Sequence, residues 1–287
     1  MMQHFRFSVG HIVVDIESEH PDCSRDLAAI VSLYPITSAK PDITFSITTH
    51  NTHIHLFING KHQWGGNDAG EVVAGFEVFL YTHIVETLTP KLESLHAASI
   101  AIGNKACLFA GISDAGKSSL CTKAILSGCK YLSDEFSLLS EQGTITAFPR
   151  PLQWGKEEHP AFSRAEMQTS PLLNHATFQF PDTKGKIIKT LLWLPQRVQY
   201  TPLPLQWVIF PRYQASAKPA ELTPIRRGEA LMELPQHLHH RQRPDIMLKM
   251  LNKRIPDDVL FYRLKFSDVH AAWNTLHQQV KVSSAKV

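Results

Sequence analysis

Three groups of residues have the types and the spacing that phosphoryl chemistry needs. The first is the segment Gly111-Ile112-Ser113-Asp114-Ala115-Gly116-Lys117-Ser118, which matches the pattern G-x-x-x-x-G-K-[ST]. Glycines let such a loop curl so that backbone N–H groups face phosphate oxygens, and a following helix adds its N-terminal partial positive charge. Lys117 would reach the β- and γ-phosphates of ATP, and the Ser118 hydroxyl would bind Mg²⁺.

The flanking sequence has the elements that such a loop requires. An apolar strand, Ala106 to Ala110, precedes the loop, and a helix from Ser118 to Leu126 follows it, closed by Gly128. The alternative is a tight strand-to-helix turn without a ligand. We expect the nucleotide to contact Gly111, Ser113, Asp114, Ala115, Gly116, Lys117, Ser118 and Ser119.

Asp114 is unusual inside a phosphate-binding loop. A carboxylate at this position would repel phosphate if it pointed inward. We therefore expect the side chain of Asp114 to face solvent or a group on the substrate.

The second group is a pair of adjacent acids, Asp134 and Glu135. They lie seventeen and eighteen residues after Lys117, at the end of a predicted strand, Tyr131 to Ser133. Beside a phosphate loop, one carboxylate can hold Mg²⁺ and the other can accept a proton from an attacking hydroxyl. We assign Asp134 to the metal and Glu135 to the base, with the reverse assignment open. The alternative without chemistry is that the acids cap a turn.

His96 is the third group. It lies at the start of a predicted strand, Leu95 to Ile102, which turns at Gly103-Asn104 into the strand that leads to the loop. A single histidine on a strand is more often a packed residue than a catalyst. On the residues alone, both interpretations stay open.

Composition and charge argue against several other classes of protein. The chain has 287 residues, of which 43% are hydrophobic and 19% charged, as in an ordinary globular protein. A formal net charge of +3 is too small to indicate nucleic-acid binding, and we interpret the basic stretch from His237 to Arg243 as solvated surface. Met1 to Gly10 contains no apolar signal segment, and no apolar run reaches the roughly 18 residues that span a bilayer. We expect a cytoplasmic protein with no membrane span.

Histidines and cysteines are further possible metal ligands in this sequence. Of the sixteen histidines, His50, His53 and His55 recur along a strand-like segment, and others cluster between His237 and His240. Neither cluster has a cysteine or glutamate at a spacing typical of zinc sites, so we predict surface or packing roles. The four cysteines also lack metal-ligand spacing, which fits a reduced chain.

The positions of these groups indicate an α/β protein with two parts. Residues 1–90 are predicted to form a small α+β unit, and residues 91–287 a nucleotide-binding catalytic domain. In the first part we predict a strand over Phe5–Ile16, a helix over Asp26–Leu33, strands over Asp42–Thr48, His53–Ile58 and Lys61–Trp64, with a turn at Asn59-Gly60, and a helix over Glu71–Leu88. In the second part we further predict strands over Phe136–Leu139, Thr144–Phe148, Trp207–Phe210 and Val259–Leu264, and helices over Gly228–Leu234, Asp245–Asn252 and Asp268–Gln279.

Taken together, these groups resemble a known family. His96, the loop fifteen residues later, Gly128 and the pair Asp134-Glu135 follow the layout of the HPr kinase/phosphorylase catalytic domain. Several segments are more similar still to the HPr kinase-related proteins, a group called HprK-related kinase A. These segments are Leu95-His96-Ala97-Ala98, Leu132-Ser133-Asp134-Glu135-Phe136, Phe148-Pro149-Arg150-Pro151, Asp182-Thr183-Lys184-Gly185 and Trp207-Val208-Ile209-Phe210-Pro211-Arg212-Tyr213.

The resemblance implies a fold shared with the phosphoenolpyruvate carboxykinases rather than the commoner parallel-sheet NTPase fold. It implies that His96 is an active-site residue and that Lys117 binds phosphate. In the same way it implies Ser118 at the metal and Glu135 as the catalytic carboxylate. It marks three cations as phosphate or substrate contacts, with ordinary surface roles as the alternative: Arg150, Lys184 and Lys186.

This chain departs from the family at two positions. Glu135 replaces the second aspartate of the family, and Ser119 stands where the HPr kinases have an acid. The C-terminal arginine segment of the HPr kinases has no counterpart that we can place, so neither phosphorylase activity nor HPr as substrate is implied.

From these features we expect a Mg²⁺-ATP-dependent kinase that acts on a hydroxyl. Related enzymes phosphorylate a serine of a peptide precursor, which favours a peptide or protein acceptor over a small molecule and also favours a homo-oligomer. The alternatives are a nucleotide-binding sensor or assembly factor without transfer chemistry and, less favoured, an ATPase.

Overall fold

The computed structural model describes residues 2–89, 91–153, 159–181 and 187–284. The chain divides into two compact units. The first comprises Met1–Thr89, Arg150–Glu157 and Leu173–Gln196, and the second comprises Pro90–Pro149, Glu158–Leu172 and Arg197–Val287. The sequence predicts one domain after residue 90, whereas two later segments of the chain in fact belong to the first unit.

The strands, in chain order, are β1 (Gln3–Val9), β2 (Ile12–Ser18), β3 (Ile43–His50), β4 (His53–Ile58), β5 (Lys61–Gly66), β6 (Leu92–Ile102), β7 (Lys105–Ala110), β8 (Lys130–Ser133), β9 (Phe136–Ser140), β10 (Thr144–Thr146), β11 (Leu173–Pro181), β12 (Ile187–Pro195), β13 (Leu203–Tyr213), β14 (Ala220–Pro224) and β15 (Leu260–Phe266). The helices are α1 (Pro21–Val31), α2 (Ala69–Leu88), α3 (Lys117–Leu126), α4 (Arg164–Thr169), α5 (Arg227–Glu233), α6 (Pro244–Arg254) and α7 (Val269–Ser284), with a 3₁₀ helix at Leu234–His237. The α/β class is therefore confirmed.

A five-stranded sheet in the order β1-β2-β3-β4-β5 forms the centre of the first unit. Only β2 and β3 pair in parallel. Alternate residues of β3 and β4 are apolar and buried, so one face of the sheet packs against α1 and α2. The rings of Phe45 in β3 and Phe76 in α2 meet edge to face, with centroids 5.0 Å apart.

Two turns decide the strand boundaries in this unit. The predicted strand Phe5–Ile16 is two strands, because Gly10 takes a φ of 59° and reverses the chain between β1 and β2. The predicted turn at Asn59-Gly60 is confirmed, with φ of 49° and 75° and with Ile58 paired to Lys61.

In the first unit the structure adds a pair of strands to the prediction and extends the predicted helix α1 at its start. Strands β11 and β12 form an antiparallel hairpin in a proline-rich part of the chain. Helix α1 begins at Pro21, five residues before the predicted start, with His20 accepting a hydrogen bond from the N–H of Cys23. Proline is favoured in the first turn of a helix, because the backbone N–H that it lacks would have no intrahelical partner there.

An eight-stranded mixed sheet organises the second unit. Its order is β10-β9-β6-β7-β13-β15-β14, and β8 pairs with β6. Strand β7 is central, antiparallel to β6 and parallel to β13. Ala106, Leu108 and Ala110 of β7 belong to a core with residues of α5 and α6. The alternate residues Cys107 and Phe109 are also buried, which explains the unbroken apolar run in β7.

In the parts of the chain that the structure describes, no helix combines the length and apolar character needed to cross a bilayer. All four cysteines are unpaired, and three of them are buried: Cys23, Cys107 and Cys121.

Replacement of either of two helical glycines by alanine should change the free energy of unfolding, but in opposite directions. A Cβ on Gly70 in α2 would lie 1.9 Å from the carbonyl oxygen of Gln179 in β11, whereas a Cβ on Gly228 in α5 would meet nothing within 4 Å. Gly70→Ala should lower the free energy of unfolding by about 1–3 kcal/mol, because the clash outweighs helix propensity. Gly228→Ala should raise it by up to about 1 kcal/mol. Urea unfolding measures both, and an equally stable Gly70→Ala variant would contradict the packing of β11 on α2.

Candidate active site

The phosphate loop connects the end of β7 to the start of α3. Gly116 is the N-cap of α3, has a φ of 93°, and offers no capping side chain to the first N–H groups of the helix. A Cβ on Gly116 would lie 2.5 Å from the ring of Phe266, the last residue of β15. Tyr213, at the end of β13, donates its N–H to the carbonyl of Ala115 at 3.2 Å. Two neighbouring strands therefore hold the loop from outside.

The position of Asp114 has a backbone explanation. Its φ is 62°, in the left-handed region that aspartate tolerates better than most side chains. The residue is exposed, as expected for a carboxylate that would otherwise repel phosphate. Asp114 therefore allows the backbone of the loop to turn sharply, and its charged side chain faces solvent.

The ammonium of Lys117 is the centre of the site. Although Lys117 is only 7% exposed, its Nζ donates to the carbonyl oxygens of Gly111 at 2.7 Å and Ile112 at 2.9 Å. The third contact is His96 Nε2, at 3.2 Å. Since an ammonium has three protons, these contacts satisfy all of its donors.

The contact with Lys117 fixes the protonation of His96. An ammonium only donates, so His96 Nε2 accepts and the neutral ring carries its proton on Nδ1. That nitrogen lies 3.8 Å from Oε1 of Glu135. The backbone carbonyl of Glu135 in turn accepts the N–H of Ala97 at 3.2 Å. His96 therefore stands between the loop lysine and one of the two predicted acids.

Burial and neighbouring charge keep this histidine neutral. Burial, the positive charge of Lys117 and, to a smaller extent, His239 and His237 together lower the pKa of His96 to about 4. Burial also lowers the pKa of Lys117, whereas Asp134 and Asp114 raise it. Asp134 thus acts electrostatically on the same ammonium that His96 contacts.

The turn that carries the acid pair is capped by a different residue. Ser133 Oγ accepts the N–H of Phe136 at 3.0 Å and donates to the carbonyl of Phe148 at 2.9 Å. Ser133 therefore stabilises this turn. The side chain of Glu135 is 37% exposed, so its carboxylate is accessible from solvent.

Two histidines that the sequence did not assign to the site lie close to it. His239 donates its N–H to the carbonyl of Ser94 at 3.0 Å, and its ring nitrogen Nδ1 lies 2.9 Å from Ser94 Oγ. The ring stacks on Phe136, with centroids 4.7 Å apart, and meets His96 edge-on at 5.8 Å. His239 is exposed, so it forms part of the rim of the site.

His237 corrects the prediction of a solvated stretch at this position. Its side chain is 3% exposed, and Nε2 has no hydrogen-bond partner among the residues that the structure describes. Burial and, to a smaller extent, the charge of Lys117 together lower the pKa of His237 to about 4. No signal in the sequence links this segment to the loop, because Lys117 and His237 lie more than a hundred positions apart along the chain.

The first turn of α3 forms a hydrogen bond with another histidine, His159. His159 Nδ1 accepts the N–H of Ala161 at 3.0 Å, so its Nε2 carries the proton and donates to Ser119 Oγ at 2.7 Å. Ser119, a predicted nucleotide contact, therefore has its side chain engaged with His159. Ser118, the predicted metal ligand, is half-buried and follows Lys117 directly.

The remaining predicted residues lie elsewhere. Arg150 belongs to the first unit, where its guanidinium lies 4.7 Å from the centre of the Tyr81 ring. Lys184 and Lys186 lie outside the described residues. Within those residues, no group of three or more His, Cys, Asp or Glu could hold a metal ion. A Mg²⁺ site with Ser118 and Asp134 would need water and phosphate oxygens as further ligands, which is the usual arrangement for this ion.

Comparisons with known proteins add no information about the function of this site. No protein-family model matches the chain, and a search of curated proteins gives no match.

The buried neutral histidines predict a loss of stability in acid. The pKa of His96 and of His237 is about 4 in the folded protein, against 6.5 for an unperturbed histidine. The unfolded chain therefore binds more protons below pH 6.5, and stability falls as the pH drops from 6.5 towards 4, by about 1.4 kcal/mol per pH unit for each such proton.

His237→Phe tests this dependence, because it keeps an aromatic ring and removes the titrating group. Urea unfolding between pH 7.5 and pH 5 should show a shallower decrease in this variant than in the native protein. His240→Asn, an exposed change in the same segment, is the control and should keep the native slope. Equal slopes in all three proteins would contradict a buried neutral His237.

Proposed function

We propose that this protein is a Mg²⁺-ATP-dependent kinase that transfers the γ-phosphate to a hydroxyl. A serine of a peptide or protein is the favoured acceptor, and a small-molecule hydroxyl is the other class. The observation that carries the proposal is the position of His96, whose two ring nitrogens face Lys117 and Glu135. A loop that only bound nucleotide would need neither the histidine nor the acid.

Nucleotide binding would exchange the partners of Lys117. In the present arrangement the ammonium is held by two carbonyls of its own loop. Phosphate oxygens carry more charge than carbonyls and form stronger, charge-assisted hydrogen bonds with an ammonium. We infer that the β- and γ-phosphates replace these carbonyls, while the N–H groups at the start of α3 bind the same phosphates.

The acids would divide the remaining work. Mg²⁺, when bound, supplies positive charge to the phosphates, and Ser118 and Asp134 would hold it. Glu135 would accept the proton of the attacking hydroxyl, since its carboxylate is accessible from solvent. Because His96 is neutral and presents Nδ1–H towards Glu135, it would orient the carboxylate without competing for that proton. The reverse roles of the two acids would require Glu135 to reach the metal instead.

We further propose that the second unit has an HPr kinase/phosphoenolpyruvate carboxykinase-like core. Two observations support this. The strand beside the loop strand is antiparallel, unlike the neighbours in an all-parallel NTPase sheet. The segment Trp207–Tyr213, which resembles the HPr kinase-related group, contacts the loop through Tyr213. Substrate contacts by Arg150, Lys184 and Lys186, a homo-oligomer and a cytoplasmic location belong to the same proposal.

Phosphate transfer is tested with labelled ATP, Mg²⁺ and a panel of peptide, protein and small-molecule acceptors. Lys117→Ala should lower both ATP binding and transfer, and Glu135→Gln should lower transfer while ATP still binds. Each change should reduce the transfer rate by roughly 10²-fold or more if the group acts in the transition state.

Two matched controls separate these roles from general damage. Lys123→Ala removes a lysine from the same helix, and Glu141→Gln alters an exposed acid of the same unit; both should retain transfer. Transfer that survives Lys117→Ala or Glu135→Gln would contradict the assigned roles. ATP binding without transfer to any acceptor would instead support the nucleotide sensor.

A further inference from the structure

The outer face of the sheet in the first unit carries a group of histidines that the proposed kinase does not use. Along β4, Ile54, Leu56 and Ile58 are buried, and the alternate residues, among them His53 and His55, are only partly buried. The histidines therefore lie on the face opposite to the one that packs against the helices.

Strand β5 adds one further histidine to this face. His62 pairs with Phe57, whose side chain lies on the same face as His55. Here the ring of His62 lies beside Phe57, with centroids 5.3 Å apart, and also beside His55, at 5.2 Å. The nitrogens His55 Nδ1 and His62 Nε2 are 3.1 Å apart.

The neighbouring His53 is engaged differently. Its Nδ1 lies 2.8 Å from the side-chain oxygen of Asn67. Its Nε2 faces Gly65, where an added Cβ would lie 2.9 Å away. His53 Nδ1 therefore has a partner in Asn67, whereas His55 and His62 have ring nitrogens within 3.1 Å of each other.

We propose that His55 and His62 form an exchangeable site for a divalent transition-metal ion of the Ni²⁺, Cu²⁺ or Zn²⁺ class. Imidazole nitrogens bind these ions at about 2.0–2.1 Å. At that distance, two nitrogens 3.1 Å apart subtend an angle of roughly 98° at a shared ion. This angle lies between the square-planar and tetrahedral values, so a small rotation of the two rings allows both to bind one ion.

The surroundings decide the kind of site. Within the described residues, no group of three or more His, Cys, Asp or Glu could hold an ion. Solvent must supply the remaining ligands, so binding is reversible and the fold does not depend on it.

Calorimetric titration of the full chain, purified without a polyhistidine tag, with Ni²⁺ tests the site. His55→Asn and His62→Asn should each weaken binding by about tenfold or more, because each removes one of two protein ligands. His53→Asn is the matched control on the same face and should change the affinity by less than about twofold. Binding of the native protein should also weaken between pH 7.5 and pH 5.5, since protons compete for the same nitrogens.

Thermal unfolding of each variant without metal establishes that the hairpin is intact. A double variant, His55→Asn with His62→Asn, that binds Ni²⁺ as tightly as the native protein would overturn the proposal. A loss of binding in His53→Asn equal to that in His55→Asn would do the same. The measurement needs no phosphate transfer, so its outcome is independent of the proposed kinase.

Discussion

The arrangement of the second unit depends on the placement of one buried ammonium. Lys117 follows the loop, and its Nζ binds the carbonyls of Gly111 and Ile112 and the ring of His96. A buried charge without such partners would be costly. The partners come from β6 and from the first two residues of the loop, so satisfying the ammonium also sets the loop conformation and its distance from the neighbouring strand. The residues proposed to bind phosphate are thereby organised without a ligand.

The same ammonium determines what His96 can do. Because Lys117 only donates, the ring must accept at Nε2 and carry its proton on Nδ1, and burial together with the lysine charge holds its pKa near 4. A histidine in this state is a poor general base at neutral pH. In the proposed kinase, this favours Glu135 over His96 as the proton acceptor.

Local signals in the sequence were sufficient for the parts of the fold that lie close together along the chain. The apolar run of β7, the glycine loop and α3 with Gly128 at its end follow from periodicity and from backbone requirements within about twenty residues. Hairpin β11–β12 was not predicted, because proline weakens the strand pattern and its partner helices lie a hundred residues earlier. Its place in the first unit is a tertiary property that no local window contains.

The candidate site divides in the same way. Lys117, Asp134 and Glu135 were predicted because phosphate chemistry has a known order of residue types along the chain. His239 was not, because its hydrogen bond to Ser94 joins residues 145 positions apart. A basic, histidine-rich stretch looks like solvated surface unless its packing partner is known. The pattern of residue types thus identifies the groups that can react, and only the three-dimensional pairing identifies the groups that hold them. His237 and His239 belong to the second class, which explains why residue type alone gave them no role.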